Sequence, residues 1–440
     1  MKIDSGSTAW MLTSTALVLL MTPGLAFFYG GMTRAKSVLN MMMMSWVAII
    51  TVTLIWVLYG DSLAFGKGNG FIGGLEYLGE HGLVTDASRA PGIPDLVFSA
   101  FQLTFAVITV ALISGAIADR AKFGPWVVFT VAWATLVYFP VAHWVWGGGW
   151  LSSLGIEDFA GGTVVHVNAG AAGLALALVL GKRRGWGKDP MRPHNLTLVL
   201  LGAGLLWFGW FGFNAGSELK ADGTAALAFM NTQVATAAAA GAWLLVERYR
   251  DGKPTTLGVA SGAVAGLVAI TPACAFIAPW EAILLGLAAG ALCSYAIGLK
   301  HRLGFDDALD VVGVHLVGGA FGAVSLGLLA VYPLTSTQHK GLFFGGGLGQ
   351  LGVQALGPVV VGLYSFSLAW IIGKVIDKTM GFRLDEESEV NGIDLAEHAE
   401  TGYDLGAVHS VSSVSGNVLA GAASPSRRAS EPEETVSVPR

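Results

Sequence analysis

Apolar blocks broken by short polar gaps run from Ala9 to about residue 375. A helix of roughly 17–25 apolar residues crosses a hydrocarbon core about 30 Å thick. A soluble helix or strand would instead alternate apolar and polar faces within each element. The blocks predict about eleven transmembrane helices, near 9–31, 38–60, 96–118, 125–142, 161–181, 195–214, 225–246, 257–275, 279–299, 310–331 and 351–375. The predicted fold class is therefore an all-α polytopic membrane protein.

Basic residues in the gaps set the orientation, because short cytoplasmic loops collect Lys and Arg. Alternate gaps hold Arg34, Lys36, Arg120, Lys122, Lys182, Arg183, Arg184, Lys188, Arg192, Arg248, Arg250, Lys253, Lys300 and Arg302. The other gaps hold only Lys67, Arg89, Lys220 and Lys340. Fourteen against four predicts N-out and C-in, in the cytoplasmic (inner or plasma) membrane. The N-terminal segment resembles a secretory leader in having Lys2 before an apolar run. Asp4 and the continuation through Phe27, Phe28 and Tyr29 make it a first membrane helix instead.

Composition adds a second unit. The chain is 53% hydrophobic and 12% charged, but residues 381–440 are acidic and polar. The expected division is a transmembrane domain over 1–380 and a cytoplasmic C-terminal tail over 381–440. The stretch 383–404 has the composition of a short amphipathic element, and the chain after about residue 410 has too little apolar content to order itself. The 61 glycines suit close helix approach. Met41 to Met44 suit packing or lipid contact, and Cys274 and Cys293 lack metal or disulfide spacing.

An internal repeat places the chemistry. DFAGGTVVHVNAGAAG from Asp158 and DALDVVGVHLVGGAFG from Asp307 share an Asp, a His and Gly170/Gly319, Ala171/Ala320 and Gly173/Gly322 at one offset. The copies fall in the fifth and tenth spans. Two five-span units must run in opposite senses, the five-plus-five inverted repeat of many transport proteins. His166 and His315, eight residues or about 12 Å of helix beyond each Asp, are expected to meet near mid-membrane. Polar groups at that depth are costly and mark function. Asp158 and Asp307 precede helices and read as structural caps.

The same topology gathers aromatics at the outer mouth: Phe101 and Phe105 on the third span, Trp146 in HWVWGGGW, and Phe213 with Ser217 on the sixth. Aromatic faces and a hydroxyl suit a small cation, although interfacial aromatic belts are routine. No HExxH, GxSG or P-loop pattern points to an enzyme. No carboxylate sits well inside a span, which argues against a cation-coupled secondary transporter.

At PGLAFFYGGM, FQLTFAVITVALISGA, WVWGGGWL, DFAGGTVVHVNAGAAGL, WFGWFGFNAGS and DVVGVHLVGG the chain resembles the ammonium transporter (Amt/Mep/Rh) family, in its prokaryotic Amt type. The resemblance spans about residues 10–380. It implies a homotrimer with one pore per subunit and no cofactor, metal or nucleic-acid partner. It also implies that Trp146, Phe105 and Ser217, with Phe101 nearby, recruit ammonium, and that Phe105 and Phe213 form a stacked gate. His166 and His315 would line the pore, Asp158 would be structural, and the tail would engage a PII-type signalling protein. Ammonium would lose its proton and pass as ammonia; the alternatives are an ammonium sensor of low flux and an Rh-like neutral gas channel.

Overall fold

The computed structural model describes residues 3–84, 86–331 and 340–403. Among them no β-strand forms, only an isolated bridge between Ala121 and Arg383. Ten helices are long and apolar enough to span a bilayer: α1 Ser5–Met32, α2 Ala35–Phe65, α3 Asp95–Ile117, α4 Phe123–Ser153, α5 Gly162–Leu180, α6 Leu196–Gly216, α7 Gly223–Arg250, α9 Pro279–Leu303, α10 Val312–Leu329 and α11 Gly347–Met380. The helix expected over 257–275 is α8, Thr256–Ile270, only 15 residues long. It ends at Thr271, just before Pro272, which has no N–H to carry the helical hydrogen bonds further. Asn231 Nδ2 then donates to the carbonyls of Cys274 and Ile277, at 2.7 Å each, and so satisfies the irregular backbone beyond.

Several of these helices start on a side-chain cap. Asp4, Asn195, Asp222 and Thr255 accept backbone N–H bonds at the starts of α1, α6, α7 and α8, filling donors that a helix cannot satisfy internally. Asp158 takes four such bonds, from Gly161, Gly162, Thr163 and Val164, at 2.6–3.1 Å. Its repeat partner Asp307 takes two, from Val311 and Val312.

The fourth helix runs past its expected end at 142 and carries His143, which sequence reading placed outside the spans. His143 is buried, with its ring nitrogens 3.0 and 2.8 Å from the carbonyl oxygens of Ala64 and Asn69. It ties α4 to the end of α2 and to the connection that follows. Cys274 and Cys293 are free and buried, as are Met41 and Met44.

Met1–Glu400 forms one compact unit, within which the described part of the acidic segment packs onto the helices. Two short helices, α12 Glu386–Asn391 and α13 Ile393–His398, lie there. Asp394 accepts from the N–H groups of Leu39 and Asn40 at the start of α2, and Glu397 from that of Phe123 at the start of α4. Glu389 takes the Arg184 N–H and the Arg383 guanidinium. Nearby, Arg183 bridges Asp119 and Asp306, Arg34 also pairs with Asp119, and Arg120 donates to the Asp306 carbonyl, so basic residues from three predicted cytoplasmic gaps converge on one end of the bundle. The segment after about residue 410, expected to be disordered, lies outside the described residues.

Candidate functional site

The two copies of the repeat do not run as straight helices from Asp to His. Residues 159–161 are non-helical, and α5 begins at Gly162 with a π-helical turn, Gly162–Val167; α10 begins with another, Val312–Leu316. The 12 Å of continuous helix expected before each His is therefore absent, because the chain breaks first. The breaks match: Gly161 has φ +109° and Asp310, at the same repeat position, +64°. Left-handed backbone at Asp310 costs about 1 kcal/mol or more, and its carboxylate is held by Lys300 Nζ at 2.6 Å. Each π turn carries its His, a placement common at functional sites.

The result is a direct meeting of the halves. His166 and His315 are buried, their rings nearly parallel at 24° and their Nδ1 atoms 3.2 Å apart. Glycine makes the crossing possible. A Cβ on Gly170 would come 2.5 Å from the Leu316 nitrogen, and one on Gly319 would come 2.7 Å from the Gly162 carbonyl and 2.9 Å from His166 Cβ. These two glycines are repeat partners as well. Beside the pair, Met21, Leu25, Ile108, Leu112, Leu206 and Val264 wall a lumen that leaves about 10 Å³ for the centre of a water-sized molecule. That is room for single file at most. His166 Nε2 is buried there without a hydrogen-bond partner.

Phe213 closes one end of this lumen. Its ring stacks on that of Phe105, 4.2 Å between centroids at 23°. On the other side of Phe105 lies a cavity of about 270 Å³, lined also by Trp146, Ser217, Phe65, Phe98 and Gln102. Trp146 meets Phe105 edge-on at 5.9 Å, and its Nε1–H donates to the Asp158 carbonyl at 2.8 Å. The Asp158 segment thus orders both the start of α5 and the mouth. Ser217 Oγ donates to the Phe213 carbonyl, which leaves its lone pairs free to accept. Phe101 is fully buried behind Phe105, 4.9 Å away, and does not line the cavity.

At the far end, Met32 and Leu257 lie one and two turns beyond Phe28 and Val264, and Leu309 lies in the break before α10. They line a cavity of about 550 Å³ with Arg183, Trp186 and Lys300. The lumen thus shares α3 and α6 with the first cavity and α1 and α8 with the second. Among the described residues no group of acidic, His or Cys side chains is arranged to hold a metal ion.

Sequence reading missed Trp210. Its ring stacks on His166 at 5.4 Å and 20°, and its Nε1–H donates to Thr271 Oγ1 at 2.9 Å. The i, i+3, i+7 spacing of Trp210, Phe213 and Ser217 put all three on one face of α6 and was the available signal.

The comparisons with known proteins agree with this architecture. A family model described as the Ammonium Transporter Family matches residues 9–403. An ammonium transporter of Mycobacterium tuberculosis (strain ATCC 25618 / H37Rv) is 56% identical over 433 residues, covering 91% of each chain. The crystal structure of Candida albicans Mep2 superposes with a TM-score of 0.83 at 34% identity, over 92% of this chain and 94% of that one. A solved structure described as a sensor Amt protein gives 0.83 at 30% identity, over 89% and 98%. The chain is a multi-pass membrane protein and belongs to the ammonium transporter family.

Proposed function

We propose that the chain carries ammonium or ammonia across the cytoplasmic membrane, through one pore per subunit. The observation that carries this reading is the order along the path: an aromatic cavity, the Phe105–Phe213 stack, then a lumen on which two imidazoles meet. The Trp146 mouth is the outer one, in keeping with the N-out, C-in charge pattern. Ammonium is recruited against the faces of Trp146 and Phe105 and donates to Ser217 Oγ.

Rejection of K⁺ follows from the lumen. A bare cation in a dry, low-dielectric passage loses its hydration at a cost of tens of kcal/mol on simple Born reasoning. Ammonium escapes by giving up a proton, which K⁺ cannot do. A free alkylammonium has a pKa of about 10.4, and burial depresses such groups by up to about 3–5 units. Deprotonation at the phenylalanine stack then lets ammonia pass His166 and His315. Asp158 holds Trp146 and the start of α5 in place.

Residues 1–380 form the conducting domain on this reading. The segment from 381, docked through Glu389, Asp394 and Glu397, is where a PII-type protein would be felt. Exposed apolar residues on α6, α7 and α9, among them Phe208, Phe229 and Trp280, suit lipid or a neighbouring subunit of a homotrimer. Likeness to a sensor Amt protein favours a second reading, an ammonium sensor of low flux.

Proteoliposomes challenged with ammonium, methylammonium and K⁺ decide between them. An ammonium-specific current means that the proton crosses as well. Internal alkalinisation without current means passage of neutral ammonia. Folded, inserted protein that gives neither supports the sensor.

A further inference from the structure

The lining of the Trp146 cavity includes no charged side chain among the described residues. The charges stand one layer back. Behind Phe65 and Phe98, which both line the cavity, the Arg89 guanidinium lies 5.8 and 4.8 Å from the ring centroids. Arg89 makes a two-pronged pair with Asp61, at 2.6 Å on each side, so these two charges cancel locally. Asp95 is turned to the Ser88 hydroxyl and to the backbone N–H groups of Ser88 and Arg89.

Of the three carboxylates on this side, Asp61, Asp95 and Glu80, Glu80 is the one left over. Its Oε1 accepts from Ser99 Oγ at 2.8 Å, and Ser99 Oγ in turn accepts from Trp56 Nε1–H. Its Oε2 is buried without a partner. The residue sits in left-handed backbone at φ +58°, a strained conformation that side-chain residues keep only when the surroundings impose it. Ser99 is the neighbour of the cavity-lining Phe98 on α3. A fourth ionisable group is therefore wedged behind the mouth, and it makes no ion pair of its own.

We propose that Glu80 sets the affinity of the Trp146 mouth for ammonium: when ionised it places a negative charge behind Phe98 and draws the cation in, and when protonated it does not. The inference rests on the proposed transport function. Burial and the Asp61 carboxylate push the Glu80 carboxyl up to about 7, against the opposing pull of the Ser99 hydrogen bond and Arg89. The sign follows. Below that value the mouth loses a negative charge and holds ammonium weakly; above it the charge is restored. The charged and titratable groups facing Glu80 are Asp61 and Arg89, with Tyr77 beneath the Arg89 guanidinium and His81 next in the chain. Glu218, beside Ser217, is also pushed up to about 7 by burial and by Asp222, and serves as the control.

The test is the half-saturating ammonium concentration in proteoliposomes at a series of external pH values, with internal pH fixed. In the wild type it falls about three-fold between pH 6 and 8, as a single charge acting through protein and water would give. Glu80→Gln abolishes that dependence and stays at the weaker, acid-side value with the maximal rate retained, while Glu218→Gln keeps the wild-type profile. Should Glu80→Gln fail to fold, Ser99→Ala serves instead: loss of the hydrogen bond moves the transition to higher pH. An unchanged profile in Glu80→Gln, an unshifted one in Ser99→Ala, or a flat one in Glu218→Gln overturns the proposal. Absence of any ammonium response in the wild type defeats the transport function instead.

Discussion

His166 and His315 are 149 residues apart in the chain, yet their Nδ1 atoms lie 3.2 Å apart. Only one hydrogen fits between two nitrogens at that distance. If both rings are neutral, one donates from Nδ1 and is left with a bare Nε2 acceptor. The other accepts at Nδ1 and carries its hydrogen on Nε2. The pair therefore offers a passing molecule one acceptor and one donor. Ammonia can use both, and an exchange of tautomers would pass a proton along the same line.

The pair depends on glycine. In Gly319→Ala the new methyl meets the Gly162 carbonyl and His166 Cβ at under 3 Å. The helix crossing must open, and ammonium flux should fall at least about ten-fold, as for other small misplacements of reacting groups. Flux at wild-type level in the inserted variant would show that the close crossing is dispensable.

On the proposed function, Trp146→Leu removes the broadest aromatic face that would bind the cation while keeping an apolar wall. A cation–π contact is worth about 0.5–2 kcal/mol, so the half-saturating concentration should rise between about two- and thirty-fold. The maximal rate changes little. Kinetics of methylammonium uptake separate the two quantities.

Phe213→Ala opens the plug between the 270 Å³ cavity and the lumen. Its expected signature is a loss of discrimination, with water and K⁺ leak appearing beside ammonium. Truncating so buried a ring also costs about 3–5 kcal/mol of stability. Leak measurements should accordingly be made below the melting temperature of the variant.

Asp158→Ala strips four N–H groups of their acceptor, while Asp307→Ala strips two. Each buried group left unsatisfied costs about 1–3 kcal/mol. Thermal unfolding in detergent should rank the Asp158 variant below the Asp307 variant, and both below wild type. The reverse order would mean that the caps are not what these carboxylates contribute.

The parts of this site legible in the sequence are those fixed by identity at a constant offset. His166 with His315 and Asp158 with Asp307 could be paired by reading alone. The helices themselves were legible because a bilayer demands long apolar runs. What escaped was local backbone. A π turn adds one residue to a helical turn and leaves no periodic trace, so the breaks at Gly161 and Asp310 stayed hidden and the helix was drawn straight from Asp to His. Pro272 was visible, but its effect on α8 depends on Asn231, 41 positions earlier, supplying the carbonyl partner. His143 and Phe101 illustrate burial: their residue types suit a pore, and only packing shows that one is tied to two carbonyls and the other sits behind Phe105.

The most direct test replaces both histidines by leucine, His166→Leu with His315→Leu, and measures ammonium and K⁺ flux side by side in proteoliposomes. Loss of ammonium flux or loss of K⁺ rejection, in protein that inserts and unfolds as the wild type does, is the expected result. Ammonium flux and K⁺ rejection both at wild-type levels would contradict a pore that works through the paired imidazoles.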